Sequence, residues 1–404
     1  MSLKSRIGTF IRALGSVLRN PSSDISRAFS GGSTRSGVSV SEFSALQLSV
    51  VWACIKIISE DTASLPLILY KKRKSGGKDR ATDDPRYYMM HDQPNPEMTA
   101  MSFREAYAAH LLSWGNAYAE KQMVGNGKPI AIWPITPNRC TPYREQGTRQ
   151  IRYTISLDDG GTADLPKSQI IHTPGPGFNG LFGYSPIGMA RETIGMGLAL
   201  EEYGQLYFGN GIHPSFIVSS TTTIKDPRAR REALEEVYGG LGRAHRVMLL
   251  EEAEKIEKIG IPNDEAQFLE TRKFQNIDIG TRIYRLPPHM YGEFDKSSTY
   301  ASAEQFSIDY VTKTLRAWLV RLEQSYNSNL LTPAEQGTYF FEHLVDGLLR
   351  GDIKSRFEAY SVAKSARIFT TNEIREMENR NPIEGGDVLD ETPNMLPPGK
   401  GGNQ

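Results

Sequence analysis

The segment from Phe268 to Leu331 constrains this chain most. A helical stretch runs into Leu286-Pro287-Pro288-His289, a polar loop follows, and a longer amphipathic stretch leaves it. Proline removes a backbone donor and clashes with the preceding helical turn, so two in succession fix a stiff corner. Beyond it, Ile308, Val311, Leu315, Trp318, Leu322 and Tyr326 recur at steps of three and four. That spacing predicts one helix of roughly 40 Å carrying a single apolar stripe. Two long helices meeting at a rigid corner, with no catalytic constellation nearby, suggest a mechanical part.

The helix entering the corner is predicted over Asp264 to Arg285, and it has a counterpart upstream. Ser185-Pro186 is a strong helix start, because serine caps free backbone donors and proline is tolerated at the first helical position. From there a helix is expected to reach Phe208, with Met189, Thr193, Met196, Leu200, Tyr203 and Tyr207 forming a heptad-type seam. Gly188 and Gly195, and Gly197, Gly204 and Gly211, recur seven apart. Each glycine costs up to roughly 1 kcal/mol in a helix relative to alanine. Close approach of a neighbouring backbone would offset that cost. Between these helices lies a strand, helix, strand segment, so the expected path is a long helix out, a small α/β cap and a long helix back.

The first half reads as a mixed α+β domain. After a Ser-Gly-rich linker from Ser30 to Ser41, an apolar helix around Leu46 to Ile58 ends near Pro66, and a strand follows at Leu67 to Tyr70. Lys71 to Asp84 is charged and contains glycine, hence a loop. Thr99 or Ser102 caps a helix running to Gly115, and Tyr118 to Thr173 is a meander of antiparallel strands. At the other end, a last helical stretch is expected over Asp346 to Met377, before a Gly-Pro tail from Gly385 that is expected to be disordered.

Composition excludes several classes. The chain has 404 residues, enough for two or three domains, and 47 basic residues balance 47 acidic ones, so bulk positive charge does not hold a nucleic acid. Cys54 and Cys140 supply neither a disulfide framework nor a zinc set, and a reducing compartment is expected. No run approaches the roughly 18 apolar residues of a membrane span, so no integral membrane protein is expected. Residues 1–37 carry six basic residues against Asp24, with leucine and isoleucine at helical spacing. They read as a basic amphipathic arm or a poorly ordered terminus, not as a signal peptide.

Gly175-Pro176-Gly177-Phe178-Asn179-Gly180 formally matches a dinucleotide-binding fingerprint, the alternative reading of this chain as an enzyme. It is set aside. The next helix starts too late for its free N–H groups to reach that loop, Pro176 removes a donor, and Glu201 and Glu202 fall within a helix. Gly125-Asn126-Gly127-Lys128 is a hairpin turn, because phosphate-loop spacing is absent. Seven histidines are scattered without ligand spacing, and acid pairs such as Glu235-Glu236 splay apart. Neither catalytic residues, metal nor cofactor is expected. The polar loop from Tyr291 to Tyr300 reads either as a moving finger or as an ordinary connection.

Taken in order, Ser49-Val50-Val51-Trp52-Ala53-Cys54-Ile55-Lys56-Ile57-Ile58-Ser59-Glu60, Gln93-Pro94-Asn95-Pro96, Gly115-Asn116-Ala117-Tyr118, Gly183-Tyr184-Ser185-Pro186-Ile187, Leu269-Glu270-Thr271-Arg272-Lys273-Phe274, Leu286-Pro287-Pro288-His289-Met290 and Asp346-Gly347-Leu348-Leu349-Arg350-Gly351-Asp352 resemble the portal proteins of tailed double-stranded DNA bacteriophages, of the long-tailed type. The resemblance spans Ser44 to Gly386. Phe306 departs from it, where a second polar amide after Gln305 is expected.

The resemblance implies the α+β portal architecture, in a ring usually of about twelve subunits closed head to tail. Such a ring would sit at one capsid vertex, be assembled in the host bacterial cytoplasm, and pass the genome in packaging and ejection. Residues 1–37 would be an arm, 38–183 the first part of the wing, 184–211 and 263–286 the stem, and 212–262 the clip. Residues 287–301 would be a loop facing the channel, 302–344 the long helix and return to the wing, 345–385 the crown and 386–404 a tail.

Implied partners are double-stranded DNA without sequence preference, the terminase large subunit, the head–tail adaptor and the major capsid or scaffold protein. Duplex DNA carries about one charge per 1.7 Å, so strong cationic attraction would brake translocation. Lys296, offset by Glu293 and Asp295 and flanked by Ser297 and Ser298, is expected to touch phosphates weakly. Gly188, Gly195, Gly197, Gly204, Phe274 and Ile277 are expected to serve stem or subunit packing.

Overall fold

The computed structural model describes residues 32–74, 76–123, 129–177, 180–209, 216–220, 226, 228–229, 232, 254–258, 265–293, 303–345, 353–378 and 380–389. Helices and small antiparallel sheets mix throughout, as the α+β reading requires.

At the N-terminal side, β1 (Gly32–Ser33) pairs with β2 (Ser39–Val40), and α1 (Glu42–Ala45) starts in a capping box between Ser41 and Ser44. The expected Ser-Gly linker is therefore a small hairpin over residues 32–40. Helix α2 (Ser49–Ser64) follows, then β3 (Leu67–Lys72) and β4 (Lys78–Arg80). The loop expected over Lys71 to Asp84 is corrected here: its first half is the turn and return strand of a hairpin. Helix α3 (Pro85–His91) leads to α4 (Ala100–Trp114), which Thr99 caps through the Ser102 N–H and which Gly115 ends in the left-handed region at φ 71°. Only glycine adopts that conformation cheaply.

The meander comprises β5 (Asn116–Met123), β6 (Pro129–Ile135), β7 (Cys140–Arg144), β8 (Ile151–Ser156), β9 (Thr162–Pro166) and β10 (Ile170–Pro174). It forms two three-stranded sheets in the orders β10-β5-β6 and β7-β8-β9. Tyr118 on β5 pairs with His172 on β10 and with Ile135 on β6.

Helix α5 (Pro186–Met189) and helix α6 (Arg191–Gly209) replace the single helix expected over 184–211, because Ala190, at φ −96° and ψ 16°, leaves the helical path. Strands β11 (Phe216–Ser220) and β12 (Glu254–Lys258) pair antiparallel. They bracket a stretch lying mostly outside the described residues.

Helix α7 (Glu265–Ile277) continues into a π-helical turn, Asp278–Ile283, in place of the uniform helix expected to Arg285. After the proline corner come α8 (Ala303–Tyr310), a second π-helical turn (Val311–Leu315) and α9 (Arg316–Leu330). Strand β13 (Tyr339–His343) closes a third sheet in the order β13-β3-β4, with Phe341 opposite Leu69.

The core sits where α9 lies over α4 and the sheets. Leu322, Tyr326 and Leu330 pack with Phe103, Tyr107 and Phe341. Fully burying such a side chain contributes roughly 1.5–3 kcal/mol. Four consecutive buried residues, Leu67 to Tyr70, make β3 a strand covered on both faces. Across this core runs a hydroxyl chain: Tyr107 donates to Thr173 (2.9 Å), Thr173 to Ser325 (2.6 Å) and Ser325 to the His172 carbonyl (3.1 Å). Buried hydroxyls need such partners, since an orphaned one costs about 1–3 kcal/mol.

A separate compact unit, residues 299–311 and 344–404, contains α10 (Ile353–Ser365) and α11 (Thr371–Met377). These two helices correct the single one expected over Asp346 to Met377. The chain turns between them at Arg367, φ 56°, and Thr370 with Glu373 forms a capping box at the start of α11. The Asn372 side chain bonds Ile383 and Asp387, and its backbone N–H donates to Gly386. Order thus persists past Gly385, where the tail is expected to begin; residues 390–404 lie outside the described residues.

Candidate channel corner and helix-packing faces

Helices α6 and α7 lie side by side. Gln275 donates to the Thr193 carbonyl at 2.7 Å, Arg272 pairs with Glu201 at 3.2 Å, and the rings of Tyr203 and Phe268 sit 5.7 Å apart. The ion pair is partly exposed, so it contributes at most about 1 kcal/mol; the tightest approach of α7 to a glycine of α6 is Phe268 at Gly204.

A Cβ at Gly195 would lie 2.6 Å from Thr34, one at Gly197 2.9 Å from Leu48, and one at Gly204 3.2 Å from Phe268. All three neighbours belong to the same chain. Gly188 is buried too, its N–H donating to Ser185 Oγ at 2.9 Å. Ile194 is fully buried on this side. Elsewhere Met196 and Leu206 on α6 are 47% and 56% exposed and Met189 on α5 is 58% exposed, while Tyr203, though 46% exposed, keeps its ring beside Phe268. On α7, Leu269 and Phe274 are also exposed, and Ile277 is half-buried. Helices α5 and α6 thus turn glycines toward their own chain and leave Met189, Met196 and Leu206 largely toward solvent.

At its C-terminal end α7 widens into the π turn, whose Gly280 receives the ring of Tyr291; a Cβ there would overlap the ring. The Gly280 carbonyl accepts from Leu286 N–H at 2.9 Å, and Thr281 and Tyr291 hydroxyls lie 3.1 Å apart. Burial pushes the Tyr291 phenol above its ordinary pKa. Arg285 then adopts φ 57°, and its carbonyl accepts from Thr314 Oγ1 at 2.6 Å. Pro288–Tyr291 is one 3-10 turn, and Gly292 ends it at φ 94°. Glu293 accepts from Asn276 at 3.2 Å. Asp295, Lys296, Ser297 and Ser298 lie outside the described residues. Sequence reasoning missed the Gly280 and Tyr291 pair; its one signal was a glycine inside a helix.

The glycine-rich loop after β10 has a structural cause. A Cβ on Gly175 would lie 2.8 Å from the Gly115 carbonyl, and Gly177 and Gly183 are hemmed in by backbone in the same way. Asn116 clamps Gly183, accepting from its N–H and donating to its carbonyl, both at 2.8 Å. His172 Nε2 donates to the same Asn116 oxygen at 3.1 Å, while Tyr153 donates to Nδ1 at 3.2 Å. Burial drives the His172 pKa down to about 3. These glycines therefore serve chain packing. Among the described residues no group of His, Cys, Asp and Glu could hold a metal ion.

Among the described residues, three three-stranded and two two-stranded antiparallel sheets, helices packed with them, a glycine-lined helix pair and a proline corner entered by a π turn define an α+β protein. Residues 49–379 match the phage portal protein family, and the chain belongs to it. It is 31% identical over 355 residues to the portal protein of Enterobacteria phage HK97, covering 87% of this chain and 82% of that one. It is also 32% identical over 371 residues to the probable portal protein of Streptomyces phage phiC31, covering 88% and 79%. A solved subunit from the neck of a native gene transfer agent particle, computed with C12 symmetry, shares the fold at TM-score 0.58 and 17% identity. That match covers 91% of this chain and all of the solved one.

Proposed function

We propose that this portal protein acts as one subunit of a closed ring at a capsid vertex, through which double-stranded DNA enters and leaves. The observation that carries the reading is the exposed apolar stripe of Met189 on α5 and Met196 and Leu206 on α6, two helices whose glycines are already packed within their own chain. A neighbouring copy covering that stripe removes apolar surface from water at roughly 25 cal/mol per Å². The twelve-fold symmetry used for the gene transfer agent neck supports a ring of the same order.

In this reading 38–183 with 302–344 is the wing, 184–211 and 263–286 the stem, and 345–385 the crown inside the head. Residues 212–262 form the clip that meets the packaging motor and later the adaptor, and 287–301 face the DNA. The test is negative-stain microscopy of wild type and of Met196→Glu with Leu206→Glu. Wild type forms rings with a central hole and the variant folded single subunits; rings in both would overturn the assignment of the stripe.

A further inference from the structure

The hairpin joining β3 to β4 concentrates charge that the rest of the chain balances out. Between Tyr70 and Arg80 six basic residues stand against one acid, Asp79, whereas the whole chain carries equal numbers of each. Lys72 lies directly opposite Lys78 across the strands, an arrangement that costs stability. Lysines on an edge strand guard against edge-to-edge pairing. Here, however, Lys71 and Lys72 belong to the central strand of the sheet, and Lys74 to the turn. Guarding an edge does not account for them.

The few acids nearby are taken. Asp79 pairs with Arg73 and Glu342 with Lys78. No ion pair of Lys71, Lys72 or Lys74 occurs among the described residues, and all three are exposed. The ammonium groups are held over aromatic rings: Lys78 lies 4.2 Å from the Tyr70 centroid, Lys72 5.5 Å from Phe340 and Lys71 5.8 Å from Tyr339. Tyr70 and Phe340 also stack on each other.

We infer that this hairpin is a docking surface for the phosphate backbone of duplex DNA, separate from the channel. Successive side chains of a strand point to opposite faces, so Lys71 lies on one face of the ribbon and Lys72 with Lys78 on the other. Cations on both faces of a narrow ribbon suit the two phosphate rims of a duplex groove better than a compact anion. The aromatic faces, engaged by lysines and by each other, are not free to stack unpaired bases, which favours a duplex over a single strand. The choice of DNA among polyanions rests on the portal reading above.

The test is filter binding of the full-length protein to covalently closed circular duplex DNA, which has no end to thread through a channel, over a salt series. Each phosphate contact contributes about 0.9 to the slope of log affinity against log salt. Lys71→Gln, Lys72→Gln and Lys74→Gln together should flatten the slope by up to about 3 and weaken low-salt binding at least tenfold, while the Lys→Arg triple retains both. An unchanged slope, no wild-type binding to circular DNA, or a Gln variant that binds DNA normally yet fails to enter capsids would each overturn the inference. Microscopy of the same samples separates this from failure of the portal reading, which would show as absent rings.

Discussion

The Tyr291 ring rests on the α-carbon of Gly280, so the chain beyond the proline corner is keyed into the π turn before it. Gly280→Ala pushes the ring out and should destabilise the protein by about 1–3 kcal/mol in urea unfolding, the usual cost of overpacking. In a Tyr291→Ala background the same change should be neutral or gain up to about 1 kcal/mol from helix propensity. An equal cost in both backgrounds would show that the ring is not the obstacle.

Substitutions on the two faces of α6 should separate folding from assembly. Leucine at Gly197 meets Leu48, so it is expected to lower the melting temperature of the single subunit itself. Met196→Glu, on the exposed face, should leave that melting temperature within a few degrees and act on ring formation alone. Thermal melts of dissociated subunits check both.

Arg86 is buried between Asp84 and Glu335, bonding them at 2.7 and 2.9 Å. Its guanidinium holds the Glu335 carboxyl down at about 2, from an ordinary 4.5. The depressed folded value means the contribution is complete above pH 4.5 and is lost as pH falls toward 2. Glu335→Gln should therefore remove part of the acid sensitivity in that window, and Arg86→Ala should cost about 3–5 kcal/mol at neutral pH. Acid titrations followed by circular dichroism read both effects.

His172 is held neutral, its pKa lowered by burial from 6.5 to about 3. The unfolded chain takes up the proton first, so the histidine's contribution is complete above pH 6.5 and erodes as pH falls toward 3. His172→Gln should flatten the stability profile across that interval. A variant with the wild-type slope there would assign the acid sensitivity to other groups.

The loop residue Lys296 is expected to touch DNA weakly. Lys296→Glu should change packaging rate or genome retention, measured in a packaging assay with purified particles. Identical behaviour would remove support for placing 287–301 against the DNA.

Much of the fold was legible wherever a local signal had a local cause. Thr99 and Gly115 bracket α4, Ser185-Pro186 starts α5, and the proline pair ends the incoming helix, because caps and prolines act within one turn. The sense of the glycines on α6 was hidden, since their neighbours, Thr34, Leu48 and Phe268, are remote in sequence. The Lys71 to Arg80 hairpin was obscured because charges on both faces erase the period of two that marks a strand. Both π turns escaped for a similar reason: one additional residue in a helical turn changes no residue type. For the candidate site, the corner could be placed from sequence, but not what wedges it.

The turn at Asp278–Ile283 makes helix length into an angular setting. Each residue of an α-helix sweeps about 100° around its axis, so deleting one residue from this turn would swing Leu269 and Phe274 by about that angle relative to Pro287. A single-codon deletion here re-aims a whole helix face without altering one of its side chains.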